Sequence, residues 1–209
     1  MGIPVKHIYA ILKETNSIIV HCASYTKMVS EVINNNNPLL NLKNVIDNQL
    51  AISCSTIRPG DTFENHNYTG RIGVILFPAS VHSISHSMPH DAGTLRRDRI
   101  EAQILKTSII EECFKNATSN RHINSCNELC IYHYKVCGIF FDELPVSFSN
   151  GDVYSAQDIS NYFNDQKIYW LNNGIFYKTK YLHDHFVNQN KVDFEYIYRN
   201  CLDNIMDSL

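Results

Sequence analysis

Residues Asn127 to Glu143 read NELCIYHYKVCGIFFDE, and the reading of this stretch decides the fold. Its middle is rich in Ile, Tyr, Val and Phe, the residues that favour strands. Leu129, Ile131 and His133 alternate with Cys130, Tyr132 and Tyr134, which predicts one long strand or two short ones. A carboxylate, Glu128, stands at the mouth. An acid held on a rigid element beside a buried run is well placed for chemistry. A solvated Glu at a strand end is the ordinary alternative.

Working outward, the upstream chain offers strands that surround this one. Ile3 to Glu14 has Val5, Ile8, Tyr9 and Leu12 on one helical face, with Pro4 in the first turn. Ile18 to Ala23 (IIVHCA) reads as a short buried strand carrying His21. Tyr25 to Ile33 reads as a helix or turn ended by the Asn run and Pro38, and Leu39 to Asp47 is weakly helical. Leu50 to Ile57 (LAISCSTI) is a second strand, closed by the turn residues Arg58 to Asp61. Glu64 to Thr69 is a polar loop. Arg71 to Phe77 (RIGVILF) is a third strand, apolar on both faces.

His82 to Arg99 reads as a loop over a cleft, Ile100 to Phe114 as a helix and Asn116 to Ser125 as a loop. After the turn at Pro145 to Gly151, the remainder reads as mostly helical. Ile159, Tyr162 and Phe163 form one apolar face, and Phe194, Ile197 and Tyr198 another. A hairpin is signalled at Asn172, Asn173 and Gly174 by the Asn-Gly pair.

Composition bounds the class. A chain of 209 residues, 44% hydrophobic and 19% charged, has the make-up of a soluble globular domain. Its net charge of −3 gives no global basic footprint for nucleic acid or a membrane surface. There are seven Cys, several inside apolar runs where Cys acts as a small hydrophobe. No secretory signal and no membrane-spanning run is evident, so the expectation is a reduced, cytoplasmic setting. No repeat and no linker divides the chain. One domain is expected over 1–209, with a core in 1–150 and a helical flank in 151–209.

The order of motifs is a strand with His-Cys-Ala-Ser, a strand with Ser-Cys-Ser-Thr, a strand after Gly-Arg-Ile-Gly, and Asn-Glu opening a later strand. In this order the chain resembles the ADP-ribosyltransferase fold over residues 18 to 143. The nearest types are its His-Tyr-Glu class and its DNA-modifying branch. The resemblance implies an α+β architecture around a split, mixed sheet with flanking helices. It implies transfer of ADP-ribose from NAD to a macromolecular acceptor, protein in preference to nucleic acid, with release of nicotinamide. It also implies a bacterial toxin or effector that works in the cytoplasm or is secreted into a host cytosol.

By the resemblance, Glu128 stabilises the ribose cation. His21 donates to the adenosine-side ribose, and the backbone of Cys22 holds the carboxamide. Ser24, Ser53 and Ser55 trim the pocket. Tyr68 stacks on the nicotinamide, and Arg71, or Arg96 with Arg97, meets the pyrophosphate. Two positions depart from the pattern: Cys22 stands where Gly is usual, and Cys126 precedes the catalytic Glu by two where Gln or Glu marks many protein modifiers. The acceptor is therefore open.

Two other classes compete. One is an interaction module that keeps the fold without chemistry. The other is a cysteine hydrolase or deamidase using Cys22, with His90 or His133 as base. His21 cannot easily serve Cys22, because neighbours on a strand point to opposite faces. His82, His86 and His90 are spaced for a metal only on a helix, which Ser83, Ser85, Ser87 and Pro89 oppose. His183 and His185 around Asp184 are spaced to pair on a strand, but a polar helix face is the expectation. Cys126 and Cys130, with His122 and His133 nearby, lack zinc-ribbon spacing. No resident metal or cofactor is expected, NAD being a substrate.

Overall fold

The computed structural model describes residues 5–23, 37–49, 51–60, 71–80, 83–88, 128–148 and 151–206. Helix α1 (Val5–Thr15) leads into strand β1 (Ile18–Cys22). Helix α2 (Pro38–Asn48) is capped by Asn37, whose side chain accepts the Leu40 N–H at 3.0 Å. Pro38 therefore starts a helix here; its missing N–H costs nothing at that position. Strands β2 (Ile52–Ile57) and β3 (Ile72–Pro78) follow as the apolar runs require. Every residue of β3 is buried, as expected of a strand covered on both faces.

The stretch that decides the fold becomes two strands, β5 (Glu128–Ile131) and β6 (Tyr134–Phe141). They are split at Tyr132 and His133, where His133 takes a φ of 54°. Part of the expected loop is instead a strand, β4 (Ile84–Met88), paired antiparallel with β5. The Ile-Ser-His-Ser-Met alternation finds a sheet edge to complete, and a polar tract becomes an edge strand. The expected elements at 25–33, 64–69 and 100–125 lie outside the described residues.

The largest correction concerns the C-terminal flank. Beyond the short ribbon of β7 (Val146–Ser147) and β8 (Val153–Tyr154) come helix α3 (Ala156–Tyr162) and three strands. These are β9 (Ile168–Asn172), β10 (Ile175–Leu182) and β11 (His185–Val192), before helix α4 (Phe194–Met206). The flank is a meander between two helices. Asn173 and Gly174 turn β9 into β10 with φ values of 48° and 70°, as the Asn-Gly signal predicts. His183 and Asp184 make a second such turn, with φ values of 48° and 63°. The tract around them is therefore a hairpin, and the expected polar helix face is absent. Its alternating aromatics, Tyr177, Tyr181 and Phe186, carry strand character that the many polar residues mask.

Nine strands form one sheet in the order β11-β10-β9-β6-β3-β1-β2-β5-β4. All its pairings are antiparallel except β6 with β9. The architecture is α+β, a mixed and mostly antiparallel sheet with four helices among the described residues. Tyr134 reaches the α2 side, its hydroxyl donating to the Val45 carbonyl at 2.9 Å. Asn37 joins α2 to α3 by donating to the Tyr162 hydroxyl. Phe77, next to Tyr134's register partner Pro78, faces the other way and packs edge-on against Tyr198 of α4. On that side Tyr9 of α1 stacks on Phe194, and Lys13 pairs with Glu195. Ile159, Phe163, Phe194, Ile197 and Tyr198 are all buried, as their spacing predicts, whereas Tyr162 is half-buried.

Two devices tie α4 to the sheet. In the β3–β6 ladder Ile75 pairs with Gly138 and Leu76 with Val136, so Cys137 is the extra residue of a bulge. Cys137 forms a disulfide with Cys201 of α4, 64 residues away. These two of the seven cysteines are cross-linked where the sequence suggested only small hydrophobes. Tyr198 inserts its hydroxyl between β1 and β3, accepting the Ile19 N–H at 2.8 Å and donating to the Leu76 carbonyl at 3.1 Å. No helix of the described residues is long and apolar enough to cross a membrane.

Candidate functional site

The strands that carry the candidate residues are consecutive neighbours, β3-β1-β2-β5. β1 pairs with β2 over Ile18–Ile57, Ile19–Thr56 and Val20–Ser55, and the paired register ends there. β1 keeps to β3 one step further, through His21–Val74 and Cys22–Gly73. Beyond Val20 the main chain of β1 therefore follows β3 alone. His21 bridges the opening, its Nδ1 lying 2.7 Å from the Ser53 carbonyl.

The chemistry of that contact fixes a tautomer. A carbonyl oxygen only accepts, so Nδ1 carries the proton. Burial pushes the His21 pKa below its usual value, with the Ser53 bond acting in the opposite sense. At neutral pH the ring is therefore neutral and Nε2 is an acceptor. A ribose hydroxyl meeting Nε2 donates to it, the reverse of the polarity the resemblance implied. His21 is only 6% exposed.

Its neighbours divide by face. His21, paired with Val74, shares the face of Pro78 and Tyr134, on the α2 side. Cys22, paired with Gly73, shares the face of Phe77, on the α4 side. Cys22 is half-buried, Ser53 is exposed and Ser55 is half-buried. Gly73 is required opposite Cys22, since a Cβ there would lie 2.4 Å from the His21 carbonyl oxygen. That close approach fixes the spacing of β1 and β3 at the site.

Glu128 opens β5 and pairs with Met88 of β4. β5 meets β2 through Leu129–Cys54, Cys130–Ser53 and Ile131–Ile52. One strand, β2, therefore separates the Glu128 backbone from β1, a span of about 10 Å at ordinary strand spacing. In register Glu128 continues toward Ser55, the partner of Val20, so its position follows the alternation of Val20, opposite to that of His21; the sheet brings the two strands together but not the two positions onto one face. Arg71 stands at the start of β3 and is ion-paired with Glu143. Ser24 and Tyr68, like Arg96, Arg97, His82 and His90, lie outside the described residues.

Two residues at this end of the sheet were passed over in the sequence. Asp142 follows β6, and its N–H donates to the Arg71 carbonyl at 3.0 Å. Burial raises its carboxyl pKa, with Arg71 pulling it back down, and its Oδ1 has no hydrogen-bond partner among the described residues. Trp170 of β9 donates its indole N–H to the Asp142 carbonyl at 2.9 Å. The signal was present as an acid pair directly after the buried run Ile139 to Phe141. A cavity of about 250 Å³ lies elsewhere, between α3 and the β9–β11 meander, lined by Ser160, Phe163, Asn164, Thr179, Tyr181 and Phe186. β6 and β3 stand between that meander and β1. Among the described residues no group of His, Cys, Asp and Glu is arranged to hold a metal ion.

No protein-family model, curated protein or solved structure matches the chain.

Proposed function

We propose that the chain is an NAD-dependent ADP-ribosyltransferase whose substrate cleft is the opening between β1 and β2. One observation carries the reading: the strands bearing His21, Ser53 and Glu128 are adjacent, and His21 spans to Ser53 at the point where β1 and β2 part. Spacing supports it, since two strand separations fall within the length of a dinucleotide.

In this mechanism the bond between the ribose C1′ and the nicotinamide nitrogen breaks, and its electron pair leaves with nicotinamide. C1′ becomes cation-like, and the Glu128 carboxylate stabilises that charge. An acceptor nucleophile then bonds to C1′ and loses its proton. His21 accepts a ribose hydroxyl proton at Nε2 in a hydrogen bond, Nδ1 being held by Ser53. Ser53, Ser55 and the Cys22 backbone border the opening, and Arg71 stands at its rim.

The test is nicotinamide release from labelled NAD by the parent chain and by Glu128→Gln. Gln keeps the shape and removes the charge, so release falls about 10² to 10³-fold while NAD binding changes little. Equal turnover by parent and variant rules the mechanism out. The burial of His21 specifically favours a second reading, an interaction module of this architecture without chemistry. On that reading no NAD is bound. A thiol enzyme using Cys22 is separated from both by an activity that is lost on alkylation and indifferent to NAD.

A further inference from the structure

The β10–β11 hairpin has two unlike faces. Thr179, Tyr181 and Phe186 line the cavity beside α3, Tyr177 lies on the same face against Trp170, and all four are buried or half-buried. The register pairs Lys180 with Val187 and Leu182 with His185, so these four, with Lys178, share the opposite face. All five are exposed. At the root of this face Phe176 and Val192 are buried, and the Lys178 ammonium lies 6.0 Å from the Tyr196 ring of α4. We infer that this uncovered hairpin face is a docking surface for an acidic polypeptide that also carries aliphatic side chains.

Three features support that choice of partner. First, the face presents two Lys and one His and no Asp or Glu. The carboxylate of Asp184, in the adjoining turn, is engaged by the Tyr181 hydroxyl at 3.1 Å. Charge complementarity therefore selects an acidic partner. Second, Leu182 and Val187, each 38% exposed, are two of the four exposed large hydrophobic residues among those described. Aliphatic side chains between the charges fit a polypeptide; a single-stranded nucleic acid would call for stacking aromatics, and the face has none. Third, the edge itself is blunted. Tyr177 pairs with Lys191 and Thr179 with Asn188, so Gln189 and Asn190 bulge opposite Lys178. The face, rather than strand addition along β11, is the available contact. The inference does not depend on the reaction proposed above.

The test uses the full chain and four labelled probes: a short peptide of alternating Glu and Leu, an all-Glu peptide, a single-stranded oligonucleotide of equal charge, and vesicles of anionic lipid. The Glu/Leu peptide binds tightest, and its affinity falls as salt is raised. Joint replacement Lys178→Glu and Lys180→Glu weakens it about ten-fold or more, whereas Lys→Arg at both positions holds it within about two-fold. Joint replacement Leu182→Ser and Val187→Ser weakens the Glu/Leu peptide about five-fold and leaves the all-Glu peptide unchanged. All six substitutions, at four positions, are judged beside a melting curve, and the Arg pair and the salt series on the parent stand even where a charge reversal unfolds. Salt-independent binding, binding unaffected by charge reversal in a folded variant, or tighter binding of the oligonucleotide or the vesicles overturns the inference.

Discussion

His21→Phe separates the two readings of the site. Phe fills similar space but has no N–H, so the Ser53 carbonyl loses its donor. A carbonyl left unsatisfied in a dry site costs about 1–3 kcal/mol. Ser53 itself is exposed, so water reaches that end of the strand and the lower part of the range applies, about 1–2 kcal/mol.

The pH dependence adds an independent mark. The folded pKa of His21 is depressed by burial, so the unfolded chain binds more protons in the acidic range. Stability from the neutral ring is present above the unfolded His value, about 6.5, and is lost as pH falls below it. Urea unfolding of the parent and of His21→Phe, followed from neutral pH to about pH 5, measures both effects. The parent loses more stability on acidification than the variant, and the two curves converge. Parallel curves would refute the buried, neutral imidazole and the tautomer derived from it. An NAD half-saturation unchanged by the substitution, in a chain that turns NAD over, would remove His21 from the substrate site.

Two further substitutions test the frame around the site. Gly174→Ala places a Cβ 1.9 Å from the Arg58 carbonyl oxygen at a φ of +70°, and it threatens the Gly60 N–H bond to the Asn173 carbonyl; a loss of about 2–4 kcal/mol in urea unfolding is expected, against about 1 kcal/mol for Gly151→Ala, where nothing lies within 4 Å. Tyr198→Phe removes the hydroxyl between the Ile19 N–H and the Leu76 carbonyl, so stability falls by about 2–4 kcal/mol and the Ile19 amide exchanges faster, and a change under about 0.5 kcal/mol would mean that the two strands close the gap unaided.

Much of the scaffold was legible locally. The apolar runs at Ile18 to Cys22 and Ile72 to Phe77, the helical stripe of Phe194, Ile197 and Tyr198, and the turn at Asn173–Gly174 each carry their structure in a few adjacent residues. Periodicity is a local property, so sequence alone determines it. The hairpin of β10 and β11 was not legible, because its outer face keeps Lys, His and Asn in water and dilutes the alternation of Tyr177, Tyr181 and Phe186.

The arrangement of the candidate site belongs to the tertiary structure. Residues 18 to 22 and 128 to 131 are far apart in the chain, and only the pairing of β2 with both strands brings them within two strand spacings. That pairing depends on long-range registers that no local pattern encodes. The role of His21 followed the same rule. Its letter permitted a ligand-binding or a core histidine, and the Ser53 carbonyl 2.7 Å away, on another strand, decided which nitrogen holds the proton. Among seven cysteines, sequence offered no reason to join Cys137 to Cys201; a bulge in one ladder and the seating of α4 did. Local periodicity marked the apolar strands and the amphipathic helices but not the polar hairpin, while the order of strands determined which residues meet, because meeting requires contacts between distant parts of the chain.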